Sequence, residues 1–183
     1  MVTEGIDETD FRQSSFRENL LEHMFISEVL QEAWVKRRQV IEVLHSEVDD
    51  SGYDVVLVSG RVIRHVQLKS SREGSKTNVQ KVSLRLAERP SGCVVWTFFQ
   101  EDRAAGKLKL RYEFFGGGPE QRLPLDDRRH KVGKHTKANA AGVKLERPMT
   151  RIVPRRDFER IQDLVALLEK LFANAPVELR ESV

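Results

Sequence analysis

Cysteine is nearly missing from this chain: Cys93 is the single one in 183 residues. No internal disulfide can form, so the core must hold by burial, and a thiol inside the apolar run "CVVWTFF" is expected to pack as a small hydrophobe. The histidines show no zinc-ligand spacing with cysteine, which argues against a zinc site. Proline is sparse, at 6, and neither a low-complexity block nor an internal repeat is found. "GGGP" at 116–119 lacks the G-K-[ST] that would make it a phosphate-binding loop, so it reads as a turn. No apolar run approaches the roughly 18 residues of a membrane span. The opening "MVTEGIDETD" has neither the basic nor the apolar region of an export signal. These absences predict a cytoplasmic protein with no membrane partner.

What the chain does contain is charge, 32% of residues, beside 39% hydrophobic content. That is enough apolar material for one compact core, and a single domain over 1–183 is expected. The core is expected over about 15–115, with a basic segment and C-terminal helix over 116–175. The net charge is only +3, but twelve basic residues stand against five acidic ones between Gln121 and Arg160. Such a stretch is the footprint of a polyanion partner, because each Lys or Arg that meets a phosphate releases counterions. Arg128, Arg129, Lys131, Lys134, His135, Lys137 and Lys144 are therefore the expected nucleic-acid contacts. His130 is expected to meet phosphate too. The small residues between the charges would let the backbone follow a phosphate chain.

Periodicity sets the element order. Residues 15–38 repeat apolar side chains at helical spacing, in the rows Phe16, Leu20, Met24 and Leu21, Phe25, Val29, Ala33. The segment starts acidic, ends in "VKRR" as the helix dipole favours, and has Ser14 or Ser15 as its expected N-cap. Three strand-like runs follow, "QVIEVLHSEV", "DVVLVS" and "RVIRHVQLK", separated by turn chemistry and forming a meander. Residues 79–89, "VQKVSLRLAER", read as a second helix capped by Thr77 or Asn78 and ended by Pro90 and Gly92. Two more strands, "CVVWTFFQ" and "KLKLRYEFF", precede the basic segment. "RDFERIQDLVALLEKLF" then carries one apolar stripe, fit to cover the sheet or to meet a second copy in a homodimer. The fold class is α+β: a central mixed sheet flanked by helices, in the order α-β-β-β-α-β, with a C-terminal helix.

The hairpin over 52–71 places polar residues where core residues are expected. If Gly60 and Arg61 are the centre of a type II′ turn, Ser59 pairs with Val62 and Asp54 falls opposite Gln67. Lys69 then points the same way as Gln67, while Val66 and Leu68 anchor the other face. A hard cation such as Mg²⁺ or Mn²⁺ takes oxygen ligands, which Asp54, the Gln67 carbonyl and the Leu68 backbone carbonyl would supply. Lys69 would orient a water or stabilise transition-state charge. Phosphodiester hydrolysis suits this set.

At these residues the chain resembles the PD-(D/E)XK nuclease superfamily, over roughly 15–99. The resemblance implies a restriction-endonuclease-like core, a metal-dependent endonuclease activity on DNA, and catalytic roles for Asp54, Gln67, Lys69 and a helix glutamate. Glu22 is the candidate for that glutamate, with Glu18 its nearest competitor, and Asp54, Gln67 and Glu22 are the implied metal ligands. Gln67 departs from the usual acid, giving a Q-x-K form of the motif. "RHVQLKSS", "SGCVVW" and "KHTKANAAGVK" also resemble a group of uncharacterised bacterial proteins. The rival readings are a catalytically inactive nucleic-acid-binding protein of the same fold and a partner within a larger assembly.

Overall fold

The structure, a computed structural model, describes residues 13–46, 51–135, 142 and 144–173. Helix α1 (Ser14–Arg37) leads into β1 (Glu42–His45), β2 (Val55–Ser59) and β3 (Val62–Arg72). Then come β4 (Val79–Ser83), α2 (Leu84–Glu88), β5 (Gly92–Asp102) and β6 (Lys107–Gly116). The chain ends with β7 (Val132–Lys134), β8 (Glu146–Pro154), a 3₁₀ turn (Arg155–Asp157), β9 (Glu159–Arg160) and α3 (Leu164–Phe172). A 6-stranded sheet runs β1-β2-β3-β5-β6-β9, and a 3-stranded sheet runs β4-β8-β7. The large sheet is antiparallel except at β3 and β5, which pair in parallel. A parallel neighbour needs a crossover, here supplied by β4 and α2. Among the described residues no helix is long and apolar enough to cross a membrane.

Each face of the large sheet buries its own apolar cluster. On one face, Phe25, Val29 and Ala33 of α1 and Leu167, Leu168 and Leu171 of α3 pack over Val55, Leu57, Val66, Cys93 and Val95. Cys93 is buried and free, as its apolar run implied. The α1 residues fall at steps of four, so one stripe faces the sheet, while the row starting at Phe16 stays out, with Phe16 70% exposed. Tyr112 adds a polar pin by donating its hydroxyl to Glu28 Oε2 at 2.7 Å. On the other face, Val94, Trp96 and Phe98 of β5 meet Val82, Leu86, Val153 and Phe158. Alternation along β5 explains the split, since its successive residues serve opposite layers.

Four local expectations are corrected. Residues 79–89 are not one helix: 79–83 form β4, which pairs with β8 from Val79↔Pro154 to Ser83↔Thr150, and only Leu84–Glu88 is helical, capped by Ser83. Pairing with a distant strand overrides local helical propensity there. The C-terminal helix is shorter than its pattern suggested. Phe158 and Ile161 enter different clusters, which one helical stripe cannot do, and the helix starts only after Asp163, whose side chain accepts from Ala166 N. Helix α1 begins after Gln13 with no side-chain cap and no acid in its first turn. Finally, the basic segment is partly sheet, contributing β7 and β8.

The small sheet is bolted to the large one by a buried carboxylate. Glu113 on β6 is 4% exposed. It accepts from Arg155 Nη2 at 2.6 Å and Nε at 3.0 Å, and from Arg111 Nη1 at 2.8 Å. The two guanidinium groups also lie over the Phe98 ring, at 4.2 and 4.4 Å from its centroid. Burial pushes the Glu113 carboxyl up, but Arg155 and Arg111 together outweigh it and hold it below its ordinary 4.5. A depressed folded-state value means this stabilisation is complete above the unfolded value and is lost as pH falls through the folded one. Glu113→Ala is expected to cost about 3 kcal/mol in denaturant melts. Glu113→Gln should also flatten the decline of stability below pH 4.5 relative to wild type.

Candidate functional site

The hairpin register is the one its turn chemistry demands. Ser59 pairs with Val62 and Val55 with Val66, and Asp54 follows at a bend just beyond the last pair, where the regular ladder ends. Gly60 takes φ +56° and Arg61 stays at negative φ, the combination a type II′ turn needs. At the other end of β2, Asp54 N–H still donates to Val66 O at 2.9 Å. Its carboxylate then replaces the next backbone acceptor: Oδ2 takes the Leu68 N–H at 2.6 Å. Side-chain capping of this kind stops the ladder. Tyr53, the preceding residue, packs edge-on against His65 with centroids 4.9 Å apart.

Beyond that point β3 runs on alone on its β2 side. It keeps its parallel register with β5 through Leu68↔Val95, Lys69↔Trp96 and Ser70↔Thr97, while no strand among the described residues pairs with Lys69–Arg72 opposite β5. A cleft of about 420 Å³ opens at this edge, lined by Glu18, Asn19 and Glu22 of α1, by Asp54, Lys69, Ser70 and Thr97, and by Gln80 of β4. Three of the four catalytic candidates, Asp54, Lys69 and Glu22, thus meet in one cleft, with Glu18 beside them. Asp54 is exposed, and Lys69 is half-buried with no ion-pair partner among the described residues.

Two candidates sit differently. Gln67 is 9% exposed and is not among the lining residues. Its Oε1 is buried with no hydrogen-bond partner among the described residues. Glu22 reaches the cleft, but its Oε1 stands 3.2 Å from His45 Nδ1 on β1. Among the described residues no three His, Cys, Asp or Glu side chains converge as a metal-binding group.

Sequence reasoning missed Ser70, Gln80 and Thr97. Thr97 had a legible signal, as the one hydroxyl interrupting "CVVWTFF", and it lies only 3% exposed on the face of Val95. Gln80 had none, because its segment read as helix.

The basic candidates form a second locus. Arg129, Lys131, Lys134, His135 and Lys144 line a recess of about 520 Å³ on the small sheet, joined by Lys81 of β4 and Arg156 after β8. Arg128 is exposed on the preceding turn, and Lys137 lies outside the described residues. Arg129 is partly neutralised by Asp157 at 3.1 Å. His130, expected to meet phosphate, is instead buried, with Nε2 donating to Asp157 Oδ2 at 3.0 Å and Nδ1 accepting from Asp126 N at 3.0 Å. Both ring nitrogens serve the fold.

Comparison with protein-family models, with curated proteins and with solved structures gave no match.

If Asp54 and Lys69 belong to a wet cleft and not to the core, removing them costs little stability. Lys69→Ala is expected to change unfolding free energy by less than about 0.5 kcal/mol. Asp54→Ala should lose about 1 kcal/mol with the Leu68 bond. Chemical denaturation read by circular dichroism checks both.

Proposed function

We propose that the chain is a Mg²⁺- or Mn²⁺-dependent nuclease with a restriction-endonuclease-like core and a glutamine form of the PD-(D/E)XK site. One observation carries the reading: Asp54, Lys69 and the α1 glutamates reach a single cleft at the open edge of β3, one residue from a buried amide oxygen that has no partner. A buried acceptor left unpaired costs about 1–3 kcal/mol, so such an atom calls for a ligand. The residues fit a hard cation. Asp54 supplies charge, Gln67 Oε1 a neutral oxygen, and Leu68 C=O a third, since it leaves β3 on the same side as the N–H that meets Asp54. Bound there, the ion would set positive charge against the phosphate oxygens and make a water more acidic.

The rest of the chemistry falls to the chain. The Leu68 N–H fixes the Asp54 carboxylate so that it need not reorganise during reaction. The Lys69 ammonium donates to a non-bridging oxygen, where negative charge grows as the water oxygen forms one P–O bond and the opposite P–O bond breaks; the proton lost by the water passes through solvent to the leaving oxygen. Ser70 and Thr97 hydroxyls line the same wall and can hold the flanking sugar-phosphate.

A second reading, a nucleic-acid-binding protein of the same fold without activity, is favoured by the Glu22–His45 contact and by the absence of a three-acid group among the described residues.

Plasmid nicking separates the two. Asp54→Ala and Lys69→Ala are each expected to lower it by about 10² or more; undiminished nicking in either variant ends the assignment.

Gln67 tests the metal directly. Gln67→Glu should lower the Mg²⁺ concentration for half-maximal cleavage and be less stable in chelator than in Mg²⁺, because two facing carboxylates repel when no cation lies between them. Gln67→Leu should raise the Mg²⁺ requirement. Equal melting shifts with and without Mg²⁺ in both variants would make Gln67 a strand residue only.

A further inference from the structure

The two faces of the small sheet differ in kind. Along β8, Arg151 and Val153 turn inward and are buried, so Ile152 and Pro154 turn out. Along β4, Val82 is buried and Gln80 shares its side, so Lys81 turns out with Ile152, its register partner. The outward set, with Val132, makes a recess with an apolar floor and a cationic rim. Lys81, Lys131, Lys134, Lys144 and Arg156 have no carboxylate partner among the described residues, and no acid lines the recess. Among the described residues Lys81 Nζ donates only to the Lys134 carbonyl, at 3.2 Å.

Cations alone would suit any polyanion, and the floor narrows the choice. A double helix turns phosphates and sugars outward and keeps its bases stacked inside, so against Val132, Ile152 and Pro154 it would bury polar groups with no return. An unpaired nucleotide offers both chemistries at once, a phosphate for the rim and a flat base face for the floor. A volume of about 520 Å³ matches a small-molecule-sized occupant and not the side of a duplex.

The route to the cleft adds a second constraint. Gln80 lines the cleft and Lys81 lines the recess, so neighbouring residues on one strand point into opposite loci. β4 is an edge strand of its sheet. A chain in the recess reaches the cleft by rounding a single strand, a width of about 5 Å. Duplex DNA, stiff over about 150 base pairs, does not follow such a turn. An unpaired strand does.

We propose that the recess on the outer face of β4–β8–β7 binds an unpaired stretch of nucleic acid, and that the same strand rounds β4 into the cleft. The substrate of the proposed nuclease is then single-stranded nucleic acid or a single-stranded end. The second half rests on the nuclease reading; binding in the recess does not.

The test begins with wild-type protein in chelator, using fluorescence anisotropy with a fluorescein-labelled oligothymidylate and with a blunt duplex of equal length. The single strand is expected to bind tighter by about tenfold or more, with steep salt dependence. Lys81→Glu and Arg156→Glu, checked for folding by thermal melts, should each weaken it by about tenfold. Equal or tighter duplex binding, or indifference to both substitutions, overturns the proposal. So does displacement of the oligonucleotide by anionic phospholipid vesicles at equal phosphate. In Mg²⁺ the single strand should be cut and the blunt duplex spared, and equal cutting of the duplex overturns the route around β4. Retained single-strand binding with no cleavage of either substrate ends the nuclease reading and upholds the recess.

Discussion

The parallel pairing of β3 with β5 is the contact on which the rest of the molecule depends. It runs from His65↔Gly92 to Arg72↔Phe99, whereas β2 accompanies β3 only from Val62 to Val66. β3 can extend past its antiparallel partner because β5 holds it on the other side. The overhang creates an edge at which side chains from both faces of the sheet, and from α1 and β4 flanking it, reach one space. Being parallel, the pair also forces a crossover, and the crossover is what carries β4 and Gln80 to that edge. Shape and chemistry at the cleft follow from one strand being longer than its neighbour.

Buried polar groups are treated in two ways. Glu113 is surrounded by two guanidinium groups, and each charge finds its counterpart. Arg64 is fully buried, yet among the described residues only its Nη2 has a hydrogen-bond partner, the Gly117 carbonyl at 3.0 Å; Nε and Nη1 have none, and the group lies 5.8 Å from the Phe114 centroid. Gln67 is nearer to Arg64 in its accounting than to Glu113. The difference is one of surroundings: Arg64 is closed in by the α1-side core, whereas Gln67 is the strand neighbour of Leu68, which lines the cleft.

Much of the cleft was legible in sequence because local chemistry fixes it. Gly60 selects a two-residue turn, the turn selects the register, and the register brings Asp54 to the end of β2 beside the Gln67–Leu68 stretch with no reference to the rest of the chain. The rows on α1 were legible for the same reason, although only packing decides which row is buried. What could not be read depends on partners far away in the chain. β4 looks helical until β8 pairs with it. Lys81 and Arg156 join the basic set only through that pairing, and the segment before α3 divides Phe158 and Ile161 between two cores that exist only once the sheet has formed. His130 was misread because nothing local to a basic loop announces a buried Asp157.

The pairing of β4 with β8 also has a kinetic meaning. The meander β1-β2-β3 and the hairpin β5-β6 join strands through short connections, while β4 and β8 come together across about 70 residues, a loop whose closure entropy must be met before any contact rewards it. The large sheet is therefore the natural nucleus, with the small sheet docking onto the exposed face of β5 afterwards and leaving first when the molecule opens locally. Amide exchange is expected to follow the same division, slowest in β3 and β5 and fastest in β4, β7 and β8. By that argument the cationic face is expected to assemble late, on a scaffold that already holds the acidic cleft.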